Sequence, residues 1–413
     1  MKYPLVIIIA LLLASSCYQE VIVAEDNREV FELMVSPGIR EFIYESRDTS
    51  YTIEDPDLTF LLNDQPVDLK EIRTRGQTAL KYQRKSYSVD LNRPISIRDR
   101  EGDDRRQLRS FKLLAMAMDY TYIESRVGFG ILEQAGIMPL FYKYVELRIN
   151  GDTQGVYLLV EDPEQFAMEQ GSEFILRRGY HHGIANSEYE PTFHFKPREE
   201  YEIRFKEIYT QLPLSHGEER YEAISQRIDL NQYFRKMGID YLLQNGDYTD
   251  EVYLYAIIEQ DAIRYKIIPW DYDDIFRQYP HEVGRTWAIG TLFGDRNYDS
   301  HQDILDEIGD KLIFSIEDDL DYAIAMDSFL YARYESTLAN LVKEMDMEDI
   351  GTLFDRVENE LAPFYSDGEV ILQSQYDSNP TSLELWQDNM IEKQALLEER
   401  LASMKSQLIF QQP

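Results

Sequence analysis

Two short runs of carboxylates are the residues in this chain whose types and spacing could do chemistry. The first is Asn245-Gly246-Asp247 with Asp250 and Glu251 just behind it; the second is Trp270-Asp271-Tyr272-Asp273-Asp274. Between them Val252 to Ile258 alternates aromatic and aliphatic residues, Glu259-Gln260-Asp261 makes a polar turn, and Ile263 to Ile268 returns. β-Branched and aromatic enrichment around a short polar tip predicts strand, turn, strand. A strand of this length runs out roughly 23 Å and its partner runs about as far back, so the two acidic runs arrive side by side. Carboxylates crowded at one sheet end repel one another unless a cation or a shared proton sits among them. A magnesium-dependent phosphoryl-transfer site needs that arrangement. The bland alternative is a pair of solvated turns, which so acidic a chain carries in any case.

Composition narrows the partners. Of 413 residues, 42 are Lys or Arg and 76 are Asp or Glu, giving a net charge of −34. Nucleic acid is excluded as an expected partner, because binding its phosphates needs clustered positive charge. Basic proteins, peptides and metal cations remain. With 44% hydrophobic and 13% aromatic residues the chain is globular, and its length predicts a core split between two lobes.

The first residues read as a targeting segment. Lys2 precedes an apolar run, Leu5 to Ala14, too short for a comfortable membrane span. Leu13-Ala14-Ser15-Ser16-Cys17 resembles a bacterial lipobox, with Ala14 in place of the more usual leucine. The resemblance implies a signal peptide over 1–16, acylation of Cys17, a tether over 17–27, and a lipid anchor in the cell envelope, on its outer-membrane, periplasmic or surface face. The alternative is a plain secretory signal with an incidental cysteine. Cys17 is the single cysteine, which excludes an intramolecular disulfide and a cysteine-based zinc site.

The elements that must position the acidic runs follow from pattern. Short β segments are expected at Glu29–Val35, Phe42–Glu45 and Leu58–Asn63, and Arg84 to Leu91 alternates as a half-buried strand with Lys85 at its start. Tyr122 to Gln134 has helical character, with Asp119 as a cap region and Gly136 as its stop. Tyr142–Ile149 and Gly155–Val160 flank Asn150-Gly151, a strong hairpin signal. Asp162-Pro163 opens a short helix through Glu169. From about Ile203 helices dominate, apart from the acidic hairpin. The expected fold is α+β, with a β-rich N-terminal lobe over 28–162 and a mostly helical C-terminal lobe with an acidic tail over 163–413. His181, His182 and His194 read as loop residues, Leu114 to Met118 as core, and Trp270 as packing beneath the acidic site.

Together these segments resemble the CotH family, the spore-coat-protein-H kinases. Four motifs carry the likeness: Arg75-Gly76-Gln77-Thr78-Ala79 with Arg84-Lys85-Ser86-Tyr87, the Asn150 to Glu161 hairpin, Asn245-Gly246-Asp247, and Pro269-Trp270-Asp271-Tyr272-Asp273. The resemblance implies an atypical protein-kinase-like fold and a transferase using ATP with Mg²⁺ or Mn²⁺. It makes Arg75, Gly76, Gln77 and Thr78 the phosphate cover, Lys85 the phosphate-contacting lysine and Asp247 the catalytic carboxylate. Asp271 and Asp273 become metal ligands, with Glu251 standing where the family usually has asparagine. Glu133 is the candidate partner for Lys85. The implied acceptor is Ser or Thr of an envelope or secreted protein. Two other readings stay open: an inactive binding scaffold on the same fold, and transfer of AMP to a protein.

Overall fold

The computed structural model describes residues 28–47, 49–76, 78–100, 104–119, 121–191, 196–247, 249, 251–280, 292–294, 296, 298, 300–370 and 382–410. Cys17 with the whole leader and tether, Gln77, Asp250 and His194 lie outside the described residues, as does the side chain of His181.

The N-terminal half builds one eight-stranded sheet from β1 (Val30–Met34), β2 (Thr59–Leu62), β3 (Gln65–Pro66), β4 (Leu69–Arg75), β5 (Ser86–Arg98), β6 (Arg105–Leu114), β7 (Tyr142–Ile149) and β8 (Asp152–Glu161). The strand order is β3-β2-β1-β7-β8-β6-β5-β4. The pairings are antiparallel except β1 with β7. The central hairpin β7–β8 turns at Asn150 (φ 53°) and Gly151 (φ 85°), the left-handed pair that a two-residue turn demands. The Asn150 side chain also bonds both the N–H and the C=O of Val35 at 2.8 Å, locking the end of β1 onto the turn.

Period two decides which core each residue joins. Tyr142, Tyr144, Val156, Leu158 and Val160 enter one cluster, while Val145, Leu147, Ile149, Tyr157 and Leu159 enter the other. A sheet buried on both faces needs continuous apolar strands, and β7 and β8 supply them. The second cluster lies under α1 (Pro37–Glu45), through Ile43. That helix corrects the strand expected at Phe42–Glu45: Pro37 opens a first helical turn, and Ile39 and Ile43 then fall four apart on one face.

The larger cluster joins the sheet to α2 (Glu124–Gln134), to a four-stranded sheet and to the remaining helices. The small sheet has the order β10-β9-β11-β12, from β9 (Phe174–Arg178), β10 (Ile184–Tyr189), β11 (Val252–Glu259) and β12 (Ala262–Pro269). Around it lie α3 (Pro163–Glu169), α4 (Arg198–Thr210), α5 (Gly217–Ser225), α6 (Leu230–Leu243), α7 (His301–Ile308), α8 (Asp319–Met326), α9 (Ser328–Glu344), α10 (Met347–Tyr365) and α11 (Leu383–Phe410). Asp162 caps α3, accepting the N–H of Glu164 at 2.8 Å with Pro163 in the first turn. Of the Leu114–Met118 run, Met116 is buried but Met118 is 40% exposed, so the run is core only in part.

Helix α2 rests on the loop after β12. A Cβ added at Gly128 would stand 2.7 Å from Cβ of Tyr272. Alanine normally favours a helix over glycine by up to about 1 kcal/mol, but forcing bulk into a packed contact costs about 1–3 kcal/mol. Gly128→Ala is therefore expected to lower the melting temperature followed by far-UV circular dichroism. An unchanged or raised value would show that α2 can slide away from Tyr272.

Candidate active site

The acidic hairpin β11–β12 pairs in register from Val252↔Pro269 to Glu259↔Ala262 and turns on Gln260 and Asp261, both at positive φ. Backbone hydrogen bonds then tie its two feet together. Gly246 N–H donates to the carbonyl of Asp274 (2.8 Å), Phe276 N–H to Leu243 (2.7 Å), Arg277 N–H to Gln244 (3.1 Å) and Trp270 N–H to Glu251 (3.2 Å). Glycine is required at 246, because a Cβ there would run into the Asp274 carboxylate and the Arg277 side chain. Gln244, at φ 52°, ends α6 in the left-handed conformation and turns the chain into Asn245.

A buried network supports this junction from below. Tyr272 Oη donates to Asp240 Oδ1 (2.7 Å), Lys236 Nζ to Asp240 Oδ2 (2.6 Å), and Asn245 Nδ2 to Asp240 Oδ1 (3.4 Å). Farther along, Arg178 donates to the carbonyl of Thr249 (2.5 Å) and to Tyr233 Oη (2.6 Å), and Tyr233 donates to Asp321 (2.7 Å). Trp270 is fully buried, with the Tyr253 ring edge-on at 5.6 Å and the Arg75 guanidinium over its face at 5.4 Å.

Above the network the carboxylates crowd. Burial, and then the charges of Asp271, Asp274, Asp247 and Glu124, push the Asp273 carboxyl well above its ordinary range. Asp271 holds a positive φ of 53°, a conformation that aspartate tolerates better than most residues. Asp247 is half-buried. Arg277 donates to Asp274 at 2.6 Å. Glu124, at the start of α2, is pushed up to about 7 by burial and by Asp119, with Lys393 and Arg277 acting against both. Asp119 does the work expected of it, accepting the N–H groups of Tyr122 (3.0 Å) and Glu124 (2.6 Å).

The loop from Gly76 (φ 96°) to Lys85 lies between β4 and β5, and Thr78 leads its short turn of 3₁₀ helix, Ala79–Lys81. Lys85 is buried, and its ammonium donates to the carbonyls of Leu80 and Tyr82 at 2.6 Å each, bonds that stay within this loop. Neighbouring Arg84 reaches the carbonyls of Gln154 (2.8 Å) and Val156 between the rings of Tyr122 and Tyr157. Glu133 does not meet Lys85. It pairs with Arg100 (2.8 Å) and accepts from Tyr142 Oη (2.7 Å), since it lies on the far, more exposed turn of α2. Glu251 is buried and paired with Arg177 at 2.5 Å. His182 pairs with Asp319 and packs on the Tyr209 ring.

Sequence reasoning missed Lys112, Glu124, Asp240 and Lys393. Lys112, buried on β6, is paired with Asp162, and the signal was there: a lone lysine in the apolar run Phe111 to Leu114. Beside this pair opens a cavity of about 750 Å³ whose walls include Asp90, Ser110, Asp162, Glu164 and Tyr189.

A divalent cation fits the donor set. The groups at the feet are carboxylate and amide oxygens, the ligands of hard cations. Asn245 Oδ1 is buried, and no described group donates to it. Among the described residues no three carboxylates or imidazoles converge closely enough to hold an ion by themselves. Magnesium commonly takes only one or two carboxylates and completes its shell with water and substrate phosphates.

Comparison with known proteins bears on this geometry. A family model described as CotH kinase protein matches residues 72–367. No curated protein matches the chain. Among solved structures, a chain of the Shewanella oneidensis MR-1 toxin–antitoxin complex of HipA, HipB and operator DNA matches at 11% identity and a TM-score of 0.26. That match covers 72% of this chain and 60% of the other.

The support network carries its own pH dependence. Burial and Asp318 push Asp321 up to about 7, against Arg178, Tyr233 and Lys236. A carboxyl raised in the folded state favours folding below its unfolded value of about 4, and that contribution is lost as pH climbs toward 7. Asp321→Asn keeps an acceptor for Tyr233, so its melting temperature should exceed that of the parent at pH 8 and converge with it near pH 4. A variant that melts lower across the whole range would refute this.

Proposed function

Because the chain belongs to the CotH kinase protein family, we propose that it is a protein kinase moving the terminal phosphoryl group of ATP to a Ser or Thr hydroxyl of an envelope or secreted protein. The observation that carries this reading is the backbone junction that brings Asp247 beside the Asp271–Asp274 loop. Asp271 and Asp273 would hold Mg²⁺ or Mn²⁺ with Asn245 Oδ1 beside them, and the ion would neutralise charge on the transferring phosphate. Asp247 accepts or orients the proton of the acceptor hydroxyl.

Arg75, Gly76, Gln77 and Thr78 form the cover over the phosphates, and Arg75 on the Trp270 face sets where that cover sits. Lys85 shapes the same cover from inside, by gathering its carbonyls. Glu251, neutralised by Arg177, serves as a weaker ligand than the aspartates. Acylated Cys17 places the enzyme at the envelope membrane, where a phosphate donor must reach it. The net charge of −34 favours a basic acceptor peptide and disfavours nucleic acid.

One observation favours a binding scaffold instead: the ammonium of Lys85 is engaged within its own loop. Melting in ATP with Mg²⁺ or Mn²⁺ separates the two readings. The kinase reading requires a metal-dependent rise in melting temperature that Asp271→Ala abolishes; no response to any nucleotide with either metal leaves the scaffold. Asp247→Asn should keep that rise while lowering transfer to an acceptor about 10²–10⁴-fold, read by mass spectrometry as phosphorylated product. An adenylated product in its place would mean AMP transfer.

A further inference from the structure

The family match ends at residue 367, and α11 begins at Leu383. This helix nevertheless reaches both halves of the site. Its buried stripe, Trp386, Met390, Leu397, Leu401, Met404 and Leu408, repeats at helical spacing and packs it against α6, α9 and α10. Packing alone would need nothing but these apolar residues. Two cations set seven residues apart, and so on one face of the helix, do something more specific.

Lys393 Nζ donates to Glu124 Oε1 at 2.5 Å and stands 4.6 Å from the centre of the Phe276 ring. It thereby touches the first turn of α2 and the segment that follows Asp273 and Asp274. Arg400 donates from Nε to the carbonyl of Leu242 (2.6 Å) and from Nη2 to that of Tyr241. These carbonyls belong to the last turn of α6, which lacks intrahelical donors and leads directly into Asn245-Gly246-Asp247. Asn389, one turn before Lys393, meets the Thr121 hydroxyl at 3.5 Å, and Trp386 stacks on Tyr365 at 4.2 Å.

We propose that α11 is a positioning element of the site, with Lys393 acting through Glu124 and Phe276, and Arg400 acting through the end of α6, to hold the two acidic segments in contact. Lys393 also offsets the negative charge of Glu124. The bearing of α11 on phosphoryl transfer rests on the kinase reading; its bearing on local order does not.

Two amides report that order directly. Gly246 N–H is bonded to Asp274 and Phe276 N–H to Leu243, so both exchange with solvent only when the acidic segments part. In the full chain, Lys393→Met, which keeps length and apolar stem, should speed exchange at Gly246 and Phe276 at least about tenfold. Leu158 in the eight-stranded sheet should be unchanged, and Lys393→Arg should recover most of the protection.

ATP·Mn²⁺ affinity, measured on the same proteins, should fall about tenfold in Lys393→Met and return in Lys393→Arg. Protection at Gly246 and Phe276 equal to the parent's overturns the proposal, and so does equal loss at Leu158, which would make α11 a matter of global stability. Affinity undiminished in Lys393→Met likewise overturns it. A parent protein that binds no nucleotide removes the kinase reading, and the exchange data still decide whether α11 is a clamp.

Discussion

Asp240 is buried at the point where the two acidic segments meet, and it accepts from one residue of each. Asn245 belongs to the first segment and Tyr272 to the second, and both donate to the same oxygen. The second oxygen takes the ammonium of Lys236 one helical turn earlier. A buried carboxylate persists only if its lone pairs are used and its charge is matched; here both conditions hold. Removing it would leave a buried ammonium, a phenol and an amide without their common acceptor. The Tyr272 hydroxyl, the Lys236 ammonium and the Asn245 amide nitrogen are thereby all engaged beneath the acidic segments.

The upper layer has the opposite economy. Asp271, Asp274, Asp247 and Glu124 raise the cost of ionising Asp273, and no hydrophobic gain is made by placing them together. The arrangement is held from outside, by the crossed backbone bonds of the hairpin feet, by α2 lying against Tyr272 at Gly128, and by Arg277 and Lys393. Local destabilisation kept in place by surrounding structure is what functional sites commonly show. It also gives a cation a physical reason to bind.

Those parts of the design governed by short-range rules were legible in the sequence. The hairpin feet, the Asn150-Gly151 turn and the Asp162-Pro163 helix start each depend on neighbours within a few residues, and each stands where its pattern places it. The strand expected at Phe42–Glu45 failed for a local reason too, since Pro37 had already begun a helix. Partners distant in sequence were not legible. Nothing near Glu124 announces Lys393, 269 residues later, and nothing near Lys112 announces Asp162. The helical pattern makes Glu133 one candidate partner for Lys85 but does not say which turn of α2 faces inward. Only packing reveals that the first turn of α2, and not the last, faces the acidic feet.

Glu251 shows how such long-range pairing changes the meaning of a single residue. Taken alone, glutamate at a position where the resemblance expects asparagine adds a negative charge to a site already crowded with them. Arg177 removes that charge from the sum at 2.5 Å. The pairing is built into the small sheet: Arg177 on β9 stands opposite Tyr253 on β11, two residues along from Glu251, within diagonal reach for long side chains. The two residues therefore count together as a neutral pair where the resemblance expects a neutral amide. Replacing Glu251 by asparagine would not restore a neutral site but would leave a cation on the adjacent strand, beside the Tyr253 ring that packs on Trp270. Asp273, by contrast, is held high by the carboxylates around it, and a metal ion there would favour its charged form.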